Sequence, residues 1–343
     1  MNKKYREDQN TKNNLRKKDG LLVITSGMIS ADIVAANLPK IAEPGEMIYV
    51  DTDISLKNGG FPGNIVIDLA QLGINPAQLG TVIGLGKDIF GDFLESTIKD
   101  FGVKTFIQKT ERHTTTDMVL VVRNEDRRFH VSPGASSELS PSFLKKVLKE
   151  TSPKVFCVRP GYSGIDLTID SIFREMKKTF ILLDVCRPYK KDWDYILPAV
   201  SEANAIHCNI GEAMKITGKN TIEEAVRDLQ GIVKEFLFIT EGEKGARLIT
   251  KNIEIFQPAF KVDWIDPTGC GDAFCAGIVY KLLKWNKFSD FSREELIEML
   301  LFAQATGAAA SLETGCTNGV TKEKVELIIK KQGNKVLKET GTR

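Results

Sequence analysis

The sequence predicts an α/β protein with a mostly parallel central sheet and a second, smaller sheet. Three observations predict it. Beyond Phe143, short runs rich in Val, Ile, Leu and Phe alternate with stretches of helical length. The apolar run Leu21-Leu22-Val23-Ile24 leads directly into Ser26-Gly27. In between, the segments 47–54 and 114–131 alternate in polarity instead. Continuous apolar strands suit a parallel sheet covered on both faces, whereas alternating strands leave one face to solvent.

Each element follows in chain order. The first 18 residues hold seven Lys/Arg against two acids, a net +5, with no apolar stretch. Residues 1–20 therefore read as a disordered basic tail and not a secretory leader. A buried strand opens at Leu21 and ends at Gly27. Met47–Ile54 reads as an exposed strand with Ile48 and Val50 on one face. Gly59-Gly60 bends the chain before a helix over Asn64–Leu72, stopped by Gly73. A strand at Gln78–Ile83 precedes a helix over Ile89–Phe101, whose Phe90, Phe93, Leu94 and Ile98 share one stripe. The runs 114–122 and 127–131, around Asn124-Glu125-Asp126, read as a hairpin. Strands are then expected near 154–158, 179–184, 203–207, 236–240, 246–250 and 253–256. Helices are expected near 166–177, 190–198, 210–217, 221–234, 272–285, 293–312 and 321–331. Residues 333–343 are polar and are expected to fray. One domain over 21–332 results, with 47–54 and 114–131 as excursions from it.

Composition excludes several classes. With 47 Lys+Arg and 45 Asp+Glu the net charge is +2, which gives no electrostatic basis for nucleic-acid binding. No apolar run is long enough for a membrane span. The six cysteines form no C-x-x-C pair, so a reducing cytoplasm is expected. Three scattered histidines do not suggest a His-rich metal site. The chain has no G-x-x-x-x-G-K-[ST], and neither H-R-D nor D-F-G, so Walker-type ATPases and protein kinases are excluded.

The strongest feature is Asp266-Pro267-Thr268-Gly269-Cys270-Gly271-Asp272, running into Ala273-Phe274 and Gly277. Two glycines at a helix start let several N–H groups point one way, and the helix dipole favours an anion there. Asp272 fits two readings: a plain helix cap, or a carboxylate that takes a proton from an attacking hydroxyl beside an anion hole. Asn209 and Glu212, at a helix start, read either as a capping box or as holders of water around Mg²⁺. Thr240-Glu241-Gly242-Glu243-Lys244-Gly245 closes a strand and opens a turn. Gly59-Gly60-Phe61-Pro62-Gly63-Asn64 makes a flexible bend, with Asn64 either capping or binding a polar ligand.

Taken in order, these stretches resemble the ribokinase-like (PfkB) carbohydrate kinase family over about residues 21–330. Asp266 to Asp272 is similar to that family's C-terminal signature, and Gly59-Gly60-x-x-x-Asn64 with Leu72-Gly73 to its N-terminal one. The resemblance implies a three-layer α/β sandwich with a small β-sheet lid supplied by 47–54 and 114–131. It implies ATP with its phosphates near Gly269, Cys270, Gly271 and Asp272, and Mg²⁺ organised through water by Asn209 and Glu212. Thr240, Gly242, Gly245, Thr268, Ala308, Gly315 and Asn318 would complete the nucleotide site. Asp272 resembles the catalytic base. Asp32, with Gly59, Gly60 and Asn64, resembles the sugar-binding set. Asp266 and the 312–316 loop resemble a monovalent-cation site, for K⁺.

The implied activity is ATP-dependent phosphorylation of a primary hydroxyl on a sugar, polyol or nucleoside. The alternative is a non-catalytic sugar or nucleotide sensor on the same fold. A homodimer through the lid is compatible with either. Cys270 stands where the family more usually has Ala, and is expected to be a neutral spacer.

Overall fold

The structure is a computed structural model that describes residues 20–342 apart from 124 and 126. The expected basic tail therefore lies outside the described residues, as do Asn124 and Asp126 of the hairpin. Among the described residues, fourteen strands form two sheets. They are β1 (Val23–Gly27), β2 (Ser30–Leu38), β3 (Ser55–Gly59), β4 (Leu79–Leu85), β5 (Lys104–Lys109), β6 (Thr116–Val122) and β7 (Arg128–Ser132). The second half adds β8 (Val155–Arg159), β9 (Phe180–Asp184), β10 (Ala205–Asn209), β11 (Phe236–Thr240), β12 (Gly245–Ile249), β13 (Glu254–Pro258) and β14 (Gly341–Thr342).

The large sheet runs β14-β13-β12-β11-β10-β9-β8-β1-β4-β5. From β11 to β5 every pairing is parallel, and β12, β13 and β14 add an antiparallel edge. Strand alternation sends side chains into two separate cores. Val155 and Cys157 of β8 join one, Phe156 and Val158 the other. The first core is closed by helices Phe61–Gln71, Ile89–Asp100, Cys270–Trp285, Arg293–Ala310 and Lys322–Glu339. The second is closed by Pro141–Thr151, Ile169–Glu175, Leu197–Val200, Ile210–Thr217 and Ile222–Ile232. Helix, sheet and helix make the three-layer α/β sandwich. Small residues decide how closely the layers approach. A Cβ on Gly277 would stand 2.7 Å from Ala303 Cα, so the Cys270–Trp285 and Arg293–Ala310 helices meet backbone to backbone there.

The small sheet runs β3-β2-β6-β7. The hairpin expected over 114–131 is present as antiparallel β6 and β7. The strand expected at 47–54 is not: that segment is an exposed connection without ladder pairing, held near β2 by Thr52 Oγ1 donating to the Ala36 carbonyl at 2.7 Å. The strands beside the hairpin are instead β2, parallel to β6, and β3, antiparallel to β2. Gly27, at φ +135° and packed on Arg159, turns the chain from the large sheet into the small one within three residues. The C-terminus differs too. Residues 333–343 were expected to fray, yet the last helix continues to Glu339, because Gly333 and Val336 extend its buried stripe, and β14 then pairs with β13.

Candidate active site

Seven parallel strands present their carboxyl ends to one side, where open α/β sheets hold ligands. The small sheet overhangs that side, and a cleft of about 1720 Å³ lies between. Arg159 ends β8, Asp184 ends β9, Asn209 ends β10 with His207 two residues before it, and Thr240 ends β11. All line the cleft together with the start of the Cys270–Trp285 helix.

That helix begins on Gly269, at φ +82°, a conformation costly to residues with a Cβ. A Cβ there would also stand 2.5 Å from the Cys316 carbonyl. No side chain caps the helix, although Asp272 sits in its first turn. The plain cap reading of Asp272 therefore does not apply. Its carboxylate turns instead toward Asn64 and Arg159 in the cleft. Asn64 Nδ2 donates to Oδ2 at 2.6 Å, and Arg159 Nη2 donates to Oδ1. Asn64 is itself held by Asn58, whose Nδ2 donates to Asn64 Oδ1 at 2.9 Å. The first-turn N–H groups of Gly271 and Asp272 have no acceptor within the helix. Thr268 Oγ1 beside them is buried without a partner.

Arg159 joins Asp272 to a second buried carboxylate. Its Nε donates to Asp184, whose other oxygen meets His207 Nδ1. Arg159 also stacks over the Phe61 ring at 4.7 Å. His207 Nε2 lies 3.4 Å from Thr240 Oγ1, and its ring stacks on Phe274. Burial alone would raise Asp184, but the Arg159 and His207 charges and hydrogen bonds outweigh it and hold its titration below the usual carboxylate range. Asp184, His207 and Cys275 lie close enough for one ion. Because Arg159 and His207 already occupy the Asp184 oxygens, the cluster reads as an internal ion-pair and hydrogen-bond network.

At the end of β10, Asn209 and Glu212 form a reciprocal capping box: Glu212 N–H to Asn209 Oδ1 at 2.9 Å, and Asn209 N–H to Glu212 Oε2 at 2.8 Å. Burial, then Asp184, push Glu212 up to about 7. Asp266 clamps two loops, accepting the Thr268 amide at 2.9 Å and the Gly315 amide at 3.0 Å.

The structure brings most of the expected residues to one cleft. Asp32, Gly60, Asn64, Asn209, Glu212, Thr240, Gly242, Gly245, Thr268, Gly269, Cys270, Gly271, Asp272 and Ala308 line it. Gly59, Asp266 and Gly315 are buried outside the lining, Gly59 backing the Asp32 carboxyl, while Asn318 is exposed and outside it, its Nδ2 donating to the Thr314 carbonyl at 2.9 Å. Burial pushes the Cys270 thiol up to about 12. Arg159, Asp184, His207 and Asp117 are cleft residues that sequence reasoning did not single out. Arg159 and Asp184 carry the advance signal of ending buried strands, whereas His207 lies mid-strand in β10 and Asp117 near the start of β6.

Residues 20–323 match the family model for pfkB family carbohydrate kinases. The chain belongs to that family. It is 25% identical over 309 residues to the ribokinase of Bacillus subtilis, covering 88% of this chain and 97% of the relative. It is 28% identical over 316 residues to fructokinase-2 of Zea mays, covering 86% and 89%. The solved structure of Arabidopsis thaliana ribokinase complexed with ribose and ATP superposes with a TM-score of 0.73 at 19% identity, covering 91% of this chain and 99% of that one.

Proposed function

We propose that the protein transfers a phosphoryl group from ATP to a primary hydroxyl of a sugar, polyol or nucleoside. One observation carries this: Asp272 occupies the first turn of an uncapped helix without capping it, its carboxylate fixed toward the cleft by Asn64 and Arg159. A hydroxyl held against Asp272 loses its proton to that carboxylate as it attacks. The amides of Gly271 and Asp272 and the partnerless Thr268 hydroxyl face the charge gathering on the phosphoryl oxygens. The donor set fits polyphosphate, since an uncapped helix start and an unsatisfied hydroxyl both seek anionic oxygen. Asn209 and Glu212, at the adjoining strand end, are the residues placed to hold the water shell of Mg²⁺, which would neutralise phosphate charge when bound.

The small sheet overhanging the cleft supplies Asp32 for an acceptor hydroxyl, and its approach excludes water that would otherwise hydrolyse ATP. The family's curated relatives, a ribokinase and a fructokinase among them, support this class of acceptor. The test is ADP release from ATP and Mg²⁺ across sugars, polyols and nucleosides. Acceptor-dependent ADP is expected with at least one. Silence across the panel, with both ligands bound, supports the sensor instead.

A further inference from the structure

Parallel pairing of β2 with β6 sets Asp32 directly beside Asp117, and β3 sets Lys57 on the other flank of Asp32. With Val131 of β7 these residues form one row across a single face of the small sheet. Asp32, Asp117 and Val131 all line the cleft. Both carboxyls are nearly enclosed, at 4% and 5% exposure. Each spends one oxygen inside the protein. Ser30 Oγ donates to Asp32 Oδ1 at 2.5 Å, and the His130 amide donates to Asp117 Oδ1 at 3.0 Å.

Among the described residues, Lys57 makes no ion pair with Asp32 although the two are cross-strand neighbours. The stem of Lys57 runs toward Gly315 instead. Gly59 matters here because a Cβ on it would collide with the Asp32 carboxyl, so only glycine lets that group lie flat against β3. Asp272 acts on Asp32 and His130 on Asp117, and the cations Arg127 and Arg159 line the same cleft. Burial, together with the charges of Asp117 and Asp272, pushes Asp32 up to about 8 despite its bond from Ser30. Burial likewise raises Asp117.

A neutral diol is satisfied by one carboxylate. A second buried carboxylate beside the first can be borne only by keeping a proton on one of the two, or by a cation between them that lets both ionise. We infer that Asp32 and Asp117 form a subsite for an acceptor bearing a protonated amino group, an amino sugar or amino polyol, whose ammonium sits between the carboxyls while its reacting hydroxyl meets Asp272. Asp117 is then a residue that determines specificity. The hydroxyl end rests on the kinase reading above, but the ammonium end stands apart from it.

The experiment titrates the full chain, with Mg²⁺ and a non-hydrolysable ATP analogue at pH 7, against matched pairs that exchange one hydroxyl for an amino group. Glucosamine with glucose, galactosamine with galactose, and aminated with plain pentitols make the panel. In at least one pair the amino member is expected to bind ten times more tightly or better, and Asp117→Asn is expected to remove that preference. Equal binding, tighter binding of every hydroxyl member, or no binding by any amino member overturns the inference. So does an Asp117→Asn protein that keeps the preference. Asp117→Ser serves where the Asn variant does not fold, and the wild-type comparison decides without either. ADP release with ATP separates the two claims: amino preference without turnover refutes the kinase reading alone, and turnover without amino preference refutes the subsite alone.

Discussion

Replacing Asp68 with Asn is expected to make the protein progressively more stable than wild type as pH rises. Asp68 lies one turn beyond Asn64 on the Phe61–Gln71 helix, fully buried, and neither carboxyl oxygen has a hydrogen-bond partner. Burial first, then the nearby Asp272 charge, raise its titration well above the ordinary carboxylate range. In the unfolded chain the same group ionises near pH 4. Between those two points the unfolded state binds fewer protons than the folded state, so folding stability falls as pH rises. The slope is about 1.4 kcal/mol per pH unit for one proton. Asn keeps the shape and cannot ionise. Subtracting wild type from Asp68→Asn cancels the titrating groups that do not sense Asp68 and leaves mainly this slope with reversed sign. From pH 5 to pH 7 the stability difference is expected to grow by roughly 2–3 kcal/mol. Urea unfolding at a series of pH values measures it, provided the m-values agree. A difference that stays constant or shrinks over that range refutes the reasoning, whatever its absolute size.

Other perturbations follow from the same network. Arg159→Gln leaves Asp184 and Asp272 without their shared cation and is expected to lose about 3–5 kcal/mol in denaturant unfolding, with Arg159→Lys losing less. An Arg159→Gln protein as stable as wild type contradicts the ion-pair account. Gly269→Ala forces a Cβ toward the Cys316 carbonyl at a positive φ, so ATP affinity is expected to fall tenfold or more while the acceptor still binds. Unchanged ATP affinity in a folded variant removes the helix start from the nucleotide site.

How much of this was legible depended on whether a signal was local. The capping box at Asn209 and Glu212 spans four residues, and so does the glycine pair with Asp272, so both were readable directly. Strands β4, β8, β9 and β11 carry continuous apolar runs that announce burial. β2 has such a run in Ile33-Val34-Ala35-Ala36, but polar Ser30 and Asp32 precede it, and the sequence reading, which ends a strand at Gly27, assigns none there. β3, Ser-Leu-Lys-Asn-Gly, has almost no apolar content and is a strand only because β2 pairs with it. The chain connecting them therefore looked more strand-like than β3 did. In the site, Arg159 meets Asp184 across 25 positions and Asp272 across 113, and Asn64 meets Asp272 across 208. Nothing in the neighbourhood of any one of them reports the others. Asp117 became informative only when the β2–β6 register set it beside Asp32.

Rapid mixing of Asp272→Asn protein with ATP, Mg²⁺ and a productive acceptor, alongside an ATP-binding titration, bears most directly on the proton-accepting role of this carboxylate. Phosphorylated acceptor is expected to form about 10²–10⁴ times more slowly than in wild type, with ATP affinity changed less than threefold. Formation at the wild-type rate would contradict it.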